Sequence, residues 1–254
     1  MKLAYDLHGR DDAPVLVLSG GLGTARAMWD AQLPAFSERY RVLRHDLPGH
    51  GASPVPEGPL AVGDIGASVL ELLDDLAMPR VSFCGLSIGG MVGMWLAAEA
   101  PARIDRLVLA CTVASFETPE VYAERAARVR AQGTHVTVDG ARERWFTPAF
   151  RDTSAARAVL DQLRATSPVG YAACCEAAGA WDFRGRLPSI TAPTLVLYGA
   201  EDPVTTPELL DVLVRGIPAA EAVSLPNAAH LANVEQPDAF SGAVLRHLEE
   251  RVEA

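Results

Sequence analysis

Short runs of apolar residues recur along the chain, and amphipathic stretches lie between many of them. Runs of this length, bounded by polar residues, Gly or Pro, are typical of buried strands. They are VLVLS (15–19), RVLRHD (41–46), VSFCGL (81–86), RLVLAC (106–111), TLVLYG (194–199) and EAVSLP (221–226). Helical patterns include IGASVLELLDDL (65–76) and the stretch after Ser87 through MVGMWLAAEA. The alternation predicts an α/β fold, a mainly parallel sheet with helices on both faces.

One region interrupts this alternation. From about Val113 to Ser189 the chain is rich in Ala and Arg, has a helical pattern and contains no convincing strand. A segment this long inside a compact domain cannot be a loop. The sequence therefore predicts a helical cap over residues 113–189. We expect it to cover the carboxyl ends of the strands of a core formed by residues 1–112 and 190–254, where open α/β sheets bind ligands.

Composition and charge narrow the classes of partner. The chain has 254 residues, of which 49% are hydrophobic, enough for one large core or for one core with a small accessory subdomain. The net charge of −10 argues against a nucleic-acid partner and requires local arginines to attract any anionic substrate. No apolar run approaches the roughly 18 residues needed to span a bilayer. The first residues also lack a secretory signal pattern, so we expect a cytoplasmic protein without a membrane partner.

The sequence predicts neither a metal nor an organic cofactor. The four cysteines, Cys84, Cys111, Cys174 and Cys175, show no CxxC or Cys/His metal spacing and are expected to be reduced and mostly buried. The glycines of GGLG (20–23) could cradle a phosphate, but the last glycine of GxGxxG and a Walker lysine are both missing.

The pentapeptide Gly85-Leu86-Ser87-Ile88-Gly89 is the strongest chemical motif. An apolar strand pattern precedes it and a helical pattern follows it. G-x-S-x-G in this context places the serine on a sharp strand-to-helix turn, with its hydroxyl exposed above the sheet. The sequence therefore predicts Ser87 as a catalytic nucleophile, although a glycine-rich turn can also be purely structural.

A serine hydroxyl needs a base, and the base needs an acid that orients it. In this arrangement the chain order is Ser, acid, His. His230 fits because it lies in a loop after the last strand pattern, in LPNAAHLANVEQP. Asp202 follows the strand pattern TLVLYG and is predicted as the acid, with its neighbour Glu201 as the alternative.

Two backbone N–H groups are candidates for an oxyanion hole. Ile88 follows the nucleophile at the start of a helix, and Leu22 lies in the glycine-rich loop after the first apolar run. His50, between two glycines, is interpreted as a structural support of a loop near the pocket. Trp145 either lines the pocket or anchors the cap, and the sequence leaves both roles open.

With these motifs, the chain resembles the 3-oxoadipate enol-lactonases of the α/β-hydrolase superfamily. The similarity extends over nearly the whole length, and the cap motifs are its most specific part. The shared segments are MWDAQLPAF (28–36), RVLRHDLPGHGASPVPEGP (41–59), FCGLSIGGMVGMWLA (83–97), RLVLACT (106–112), ERWFTPAF (143–150), GYAACCEAAGAWDFRGRL (170–187), APTLVLYGAEDPVTTPE (192–208) and AAHLANVEQPDAF (228–240). The chain departs from the usual family pattern at SGGLG (19–23), at DLPGHG (46–51) and at Cys111-Thr112.

The resemblance implies a site and a reaction. Its triad corresponds to Ser87, Asp202 and His230, and its oxyanion donors correspond to Leu22 and Ile88. It implies hydrolysis of 3-oxoadipate enol-lactone to 3-oxoadipate through an acyl-enzyme, without a cofactor. The substrate carboxylate then needs a cationic partner, and four arginines of the predicted cap are candidates: Arg125, Arg128, Arg144 and Arg184.

Other functions remain open at the level of sequence. A general carboxylesterase or perhydrolase, or a carbon–carbon bond hydrolase, would use the same triad with a different cap. A ligand sensor that retains a hydrolase pocket is the non-enzyme alternative. A homo-oligomer is compatible with the sequence, which contains no specific signal for one.

Overall fold

A computed structural model describes residues 1–116, 118–218 and 220–249 of the chain. Its centre is a seven-stranded sheet with the order β1-β3-β2-β4-β5-β6-β7. The strands are β1 Tyr5–His8, β2 Val15–Ser19, β3 Arg41–His45, β4 Val81–Leu86, β5 Ile104–Ala110, β6 Thr194–Gly199 and β7 Ala220–Leu225. Strand β1 is antiparallel to β3 and the other pairs are parallel. The predicted mainly parallel α/β fold is confirmed.

Successive side chains of the central strands enter two separate cores, one on each face of the sheet. In β2, Val17 packs on one face and Leu16 and Leu18 on the other. In β4, Phe83 packs on the same face as Val17, and Cys84 packs on the opposite face. This follows from the pleat, which turns adjacent side chains to opposite faces. Continuous apolar runs are therefore what a sheet covered on both sides requires.

Helices cover both faces. They are α1 Leu33–Ser37, α2 Val62–Asp75, α3 Ile88–Glu99, α4 Pro119–Gln132, α5 Val138–Trp145, α6 Ser154–Ala165, α7 Pro168–Gly179, α8 Pro207–Gly216, α9 Ala232–Glu235 and α10 Pro237–Glu249. Helices α2, α3 and α8 contribute to one core, and α1 and α10 to the other. Among the described residues, no helix is both long and apolar enough to cross a membrane.

Strand β1 is the one element of the sheet that the apolar pattern misses. Its residues are exposed or half-buried, because it pairs only with β3 at the edge of the sheet. An edge strand that buries little apolar surface has no strong hydrophobic pattern, so its position depends on backbone pairing.

Four helices, α4 to α7, lie between β5 and β6, in the range for which the sequence predicts a cap. We call residues 113–189 the cap segment. It contacts the core at several points: the side chain of Gln162 accepts a 2.8 Å hydrogen bond from the Ala25 N–H, and the carbonyl of Trp145 accepts a 3.0 Å bond from the Leu231 N–H. The division of the chain into two domains stays a prediction.

Candidate active site

Ser87 occupies a strained turn between β4 and α3. Its φ of 58° and ψ of −120° lie outside the regions that residues with a Cβ normally adopt. Hydrogen bonds hold this turn on both sides. The Ser87 N–H donates to the Ala110 carbonyl at 2.9 Å, and the Thr112 hydroxyl donates to the Ser87 carbonyl at 2.7 Å. Strand β5 and the loop that follows it therefore hold Ser87 in this strained conformation.

The two glycines of the pentapeptide make this turn sterically feasible. A Cβ on Gly85 would lie 2.1 Å from the carbonyl oxygen of Gly89. A Cβ on Gly89 would lie 2.3 Å from the carbonyl oxygen of Ser19, at the end of β2. Real Cβ atoms do not approach oxygen this closely, so the turn requires glycine at both positions. The same close approach brings the loop after β2 against the start of α3.

The structure brings Ser87, His230 and Asp202 together. The Nε2 atom of His230 lies 3.1 Å from Oγ of Ser87, and its Nδ1 atom lies 2.9 Å from Oδ2 of Asp202. The three side chains come from the loops after β4, β6 and β7, which meet at the carboxyl edge of the sheet. A base bonded to a hydroxyl on one side and to a carboxylate on the other is the arrangement that activates a serine.

Asp202 is buried, and its oxygens have further donors. The Val204 N–H donates to Oδ1 at 2.8 Å, and the hydroxyl of Thr205 donates to Oδ2. Burial alone would raise the pKa of Asp202, but the facing His230 and these hydrogen bonds lower it below the ordinary aspartate value. The carboxylate therefore stays ionised beside His230. Glu201, the alternative acid, is exposed and forms no side-chain hydrogen bond with His230 among the described residues.

The predicted oxyanion donors come from two different segments, the loop after β2 and the start of α3. Leu22 and Ile88 both line the cavity that Ser87 faces. Ile88 is the first residue of α3, where a backbone N–H has no acceptor within its own helix. This position and the positive end of the helix dipole suit it to a developing negative charge.

The triad opens into a cavity of about 260 Å³ between the sheet and the cap segment. Apolar and aromatic side chains form much of its wall, with a few polar groups at defined positions. Lining residues include Leu22, Ser87, Ile88, Met91, Phe116, Val121, Tyr122, Arg125, Arg144, Trp145, Tyr171 and His230. The side chain of Trp145 also packs in the apolar core that includes Leu16 and Leu18. Trp145 therefore lines the cavity and contacts the core, which combines the two roles that the sequence left open.

The candidate arginines separate into two groups. Arg125 and Arg144 line the triad cavity, and both also border an outer groove beside it that includes Arg128. Arg184 is exposed and forms an ion pair with Asp182 at 2.6 Å, and it does not line the cavity. Arg184 pairs with a carboxylate only two residues before it in the chain. The spacing of Asp182 and Arg184 could therefore have suggested this local ion pair.

Arg125 and Arg144 differ from most arginines of this protein. Many others form ion pairs with carboxylates on the surface. Neither of these two does so within the described part of the chain, where Arg125 instead lies over the Tyr122 ring at 4.9 Å. Burial lowers the pKa of Arg144, and the neighbouring charge of Arg125 lowers it further. Two uncompensated guanidinium groups at one cavity favour an anionic ligand.

Two residues that support the site were not predicted as such. Thr205 donates to Asp202, and its position three residues after the acid was a usable local signal. Glu235 is buried and accepts hydrogen bonds from Ala229 and Thr147. Its contact with Thr147 joins distant parts of the chain, so no local pattern could have shown it.

Comparison with known proteins agrees with this geometry. The sequence profile of the α/β hydrolase fold family matches residues 13–237. The chain belongs to the α/β-hydrolase family, and the fold predicted from the sequence is confirmed.

Similar proteins narrow the class further. The 3-oxoadipate enol-lactonase 2 of Acinetobacter baylyi is 40% identical over 96% of this chain and 92% of its own length. The crystal structure of the enol-lactonase from Burkholderia xenovorans LB400 is 40% identical, with a TM-score of 0.95 over 98% of this chain and 96% of that one. A hydrolase from Pseudomonas aeruginosa PA01 is 45% identical, with a TM-score of 0.94 over 98% and 94% of the two chains.

The predicted resemblance to the 3-oxoadipate enol-lactonases is thus confirmed. The chain is a hydrolase of the class that acts on carboxylic ester bonds, as the sequence predicted.

Proposed function

We propose that this protein hydrolyses 3-oxoadipate enol-lactone to 3-oxoadipate by a serine mechanism. The observation that carries the proposal is the hydrogen-bonded series Ser87–His230–Asp202 at a cavity that also contains Arg125 and Arg144. Relatives that carry the enol-lactonase name over almost the whole chain support the choice of substrate. The substrate has both features that this cavity suits, an ester with a good enol leaving group for the serine and a carboxylate for the arginines.

The first half of the reaction forms an acyl-enzyme. Nε2 of His230 takes the proton of the Ser87 hydroxyl as Oγ attacks the lactone carbonyl. The N–H groups of Leu22 and Ile88 stabilise the negative oxygen of the tetrahedral intermediate. The bond between the carbonyl carbon and the ring oxygen then breaks, and the leaving enol oxygen takes the proton from His230. The released enol tautomerises to a ketone while the new acyl group stays on Ser87.

The second half releases the product. His230 removes a proton from water, and the resulting hydroxide attacks the acyl carbonyl. The bond to Ser87 Oγ breaks and Oγ recovers its proton from His230. Asp202 holds the imidazole in the required tautomer and stabilises its charged form in both halves. The net change is the addition of one water molecule, so the chemistry needs no cofactor.

Substrate binding uses the cap segment. Arg144 and Arg125 bind the free carboxylate of the lactone, while Trp145 packs against the ring. The distribution of charge supports this role, since the protein has a net charge of −10 and these guanidinium groups have no carboxylate partner within the described ranges. The proposed substrate is a small molecule. The proposal also includes a cytoplasmic location, because the four cysteines are free and buried, as is usual in a reducing compartment.

The proposal can be tested directly with purified full-length protein. 3-Oxoadipate enol-lactone is added, and the loss of its ultraviolet absorbance is followed for the wild type, for Ser87→Ala and for a buffer blank. We expect rapid loss with the wild type and a rate near the blank with the variant. A neutral aryl ester is assayed in parallel. If the wild type leaves the lactone at the blank rate but cleaves the aryl ester, the protein is a general esterase and the lactone proposal is wrong.

A further inference from the structure

The backbone N–H groups of the residues before and after His230 are hydrogen-bonded to the cap segment. One of these links is direct and the other passes through a single side chain. After His230, the Leu231 N–H donates to the Trp145 carbonyl at 3.0 Å. Before His230, the Ala229 N–H donates to Oε2 of Glu235 at 2.5 Å. The other oxygen of Glu235 accepts from the Thr147 N–H at 2.9 Å and from the Thr147 hydroxyl at 2.8 Å. His230 is therefore held between two links to residues 145–147.

The bridging group is a carboxylate in a buried place. Glu235 is only 6% exposed, and removing an ionised carboxylate from water costs several kcal/mol unless donors replace the water. Three donors do so, from two elements that are distant in the chain. A carboxylate presents acceptors at both ends, whereas an amide presents an acceptor at one end and donors at the other. The site therefore specifically requires a carboxylate.

Proposed catalytic and substrate-binding groups are adjacent in this arrangement. Trp145, which lines the cavity, precedes Phe146 and Thr147, while Ala229 and Leu231 flank His230. These bonds connect residues 145–147 directly to the loop of His230. Nε2 of His230 must remain near 3.1 Å from Ser87 Oγ to take its proton.

We infer that Glu235 is a positioning residue, which fixes His230 against Ser87 by joining the histidine loop to the cap segment at Thr147. The inference rests on the proposed role of His230 as the base for Ser87, and it does not depend on which ester is the natural substrate. It also explains how ligand contact with Trp145 can act on the base: a ligand that immobilises residues 145–147 immobilises the loop of His230 as well.

The test uses full-length variants and two substrates. In Glu235→Gln, the side-chain amide has only one oxygen. If its NH₂ group faces the Ala229 N–H, two donors oppose each other, and if the amide is turned round, the NH₂ group faces the Thr147 donors instead. Thr147→Val removes one of the two bonds from Thr147 and keeps its shape. For an aryl acetate, which is too small to need the arginines, we expect kcat to fall roughly 10- to 100-fold in Glu235→Gln and a few-fold in Thr147→Val, because displacement of a catalytic group by about 1 Å has effects of this size. We expect KM to change less than kcat.

Matched variants separate positioning from general stability. Asp238→Asn removes a negative charge from an exposed site at the start of α10 and should leave kcat unchanged. Thr147→Ser keeps both donors and should retain most of the kcat that Thr147→Val loses. Wild-type kcat on the aryl acetate in folded Glu235→Gln would overturn the inference, even if its melting temperature falls. Wild-type turnover of the same ester by Ser87→Ala would instead contradict the proposed mechanism.

Discussion

The backbone N–H of Gly23, the residue after Leu22, donates a 2.9 Å hydrogen bond to Nε2 of His50. The other ring nitrogen, Nδ1, lies 2.9 Å from the carbonyl oxygen of Pro48. An N–H must face that oxygen, so Nδ1 carries the proton and Nε2 is left as the acceptor for Gly23. His50 is fully buried, and burial lowers its pKa to about 4. A neutral imidazole thus fixes one side of the proposed oxyanion hole.

His50→Ala should reduce both activity and stability. It leaves the buried Gly23 N–H without an acceptor, which costs about 1–3 kcal/mol, and the loop of Leu22 loses its support. We expect kcat for the lactone to fall at least roughly 10-fold. The fall should not exceed the factor of about 10²–10³ that removal of a whole oxyanion donor causes. Steady-state kinetics and urea unfolding measure the two effects. His50→Gln, whose side-chain oxygen can accept a hydrogen bond, should retain more activity, whereas wild-type kcat in His50→Ala would exclude this role.

His45 and His50, both buried and outside the triad, predict how stability depends on pH. Burial lowers the pKa of His45 and of His50 from 6.5 to about 4, so the folded state prefers the neutral rings. Their contribution is complete above pH 6.5 and is lost as the pH falls from 6.5 towards 4, since the unfolded chain binds these protons first. Each histidine should lower the free energy of unfolding by about 1.4 kcal/mol per pH unit over this interval, or roughly 3 kcal/mol for each histidine.

Urea unfolding at a series of pH values measures this slope. His50→Gln should lower this slope by up to about 1.4 kcal/mol per pH unit between pH 6 and pH 4.5, because the contribution of one histidine is removed. An unchanged slope in this variant would show that His50 does not contribute in this way.

Replacing Ser87 by glycine should separate stability from activity. The φ of 58° and ψ of −120° at Ser87 are unfavourable for any residue with a Cβ, by about 1–3 kcal/mol. Glycine removes this strain but loses about 0.5–1 kcal/mol through its greater freedom in the unfolded chain. We therefore expect Ser87→Gly to be inactive and about 1 kcal/mol more stable than the wild type in urea unfolding. Ser87→Ala keeps the Cβ and should be inactive without this gain, and equal stabilities would argue against strain at the turn.

The sequence predicts best those features that are encoded locally. The strand-turn-helix around Ser87 depends on neighbouring residues, and Asp202 and His230 each follow a clear strand pattern. Strand β1 was missed because its side chains bury little surface. The contact of Glu235 with Thr147 depends on how the cap segment lies over the core, which no local pattern specifies. The same reason prevented the sequence from placing Arg144 at the cavity, whereas the pairing of Arg184 with Asp182 had a local signal in their spacing.

Asp202→Asn should keep the fold and lose most of the activity. An asparagine can present an N–H to Nδ1 of His230, which favours the wrong tautomer and leaves the charged imidazole without a counter-ion. The expected fall in kcat is about 10⁴-fold, the size found for this change in serine-protease triads. Glu201→Gln removes the same charge from the exposed neighbouring residue and should leave kcat within about two-fold of the wild type, since exposed charges contribute little. The reverse ranking of these variants in steady-state kinetics would make Glu201 the functional acid.

Arg144→Gln tests whether the cavity selects for a carboxylate. A hydrogen bond to a charged group contributes about 1.5–3 kcal/mol, so its loss should raise KM for the carboxylated lactone by roughly 10- to 100-fold. The KM for a neutral aryl ester should stay the same, because that ester has no charge to bind. Arg157, exposed on α6 and outside the cavity lining, provides the matched control, and Arg157→Gln should change neither KM. If Arg144→Gln raises KM equally for the charged and the neutral substrate, Arg144 shapes the cavity, and the carboxylate partner must be sought at Arg125.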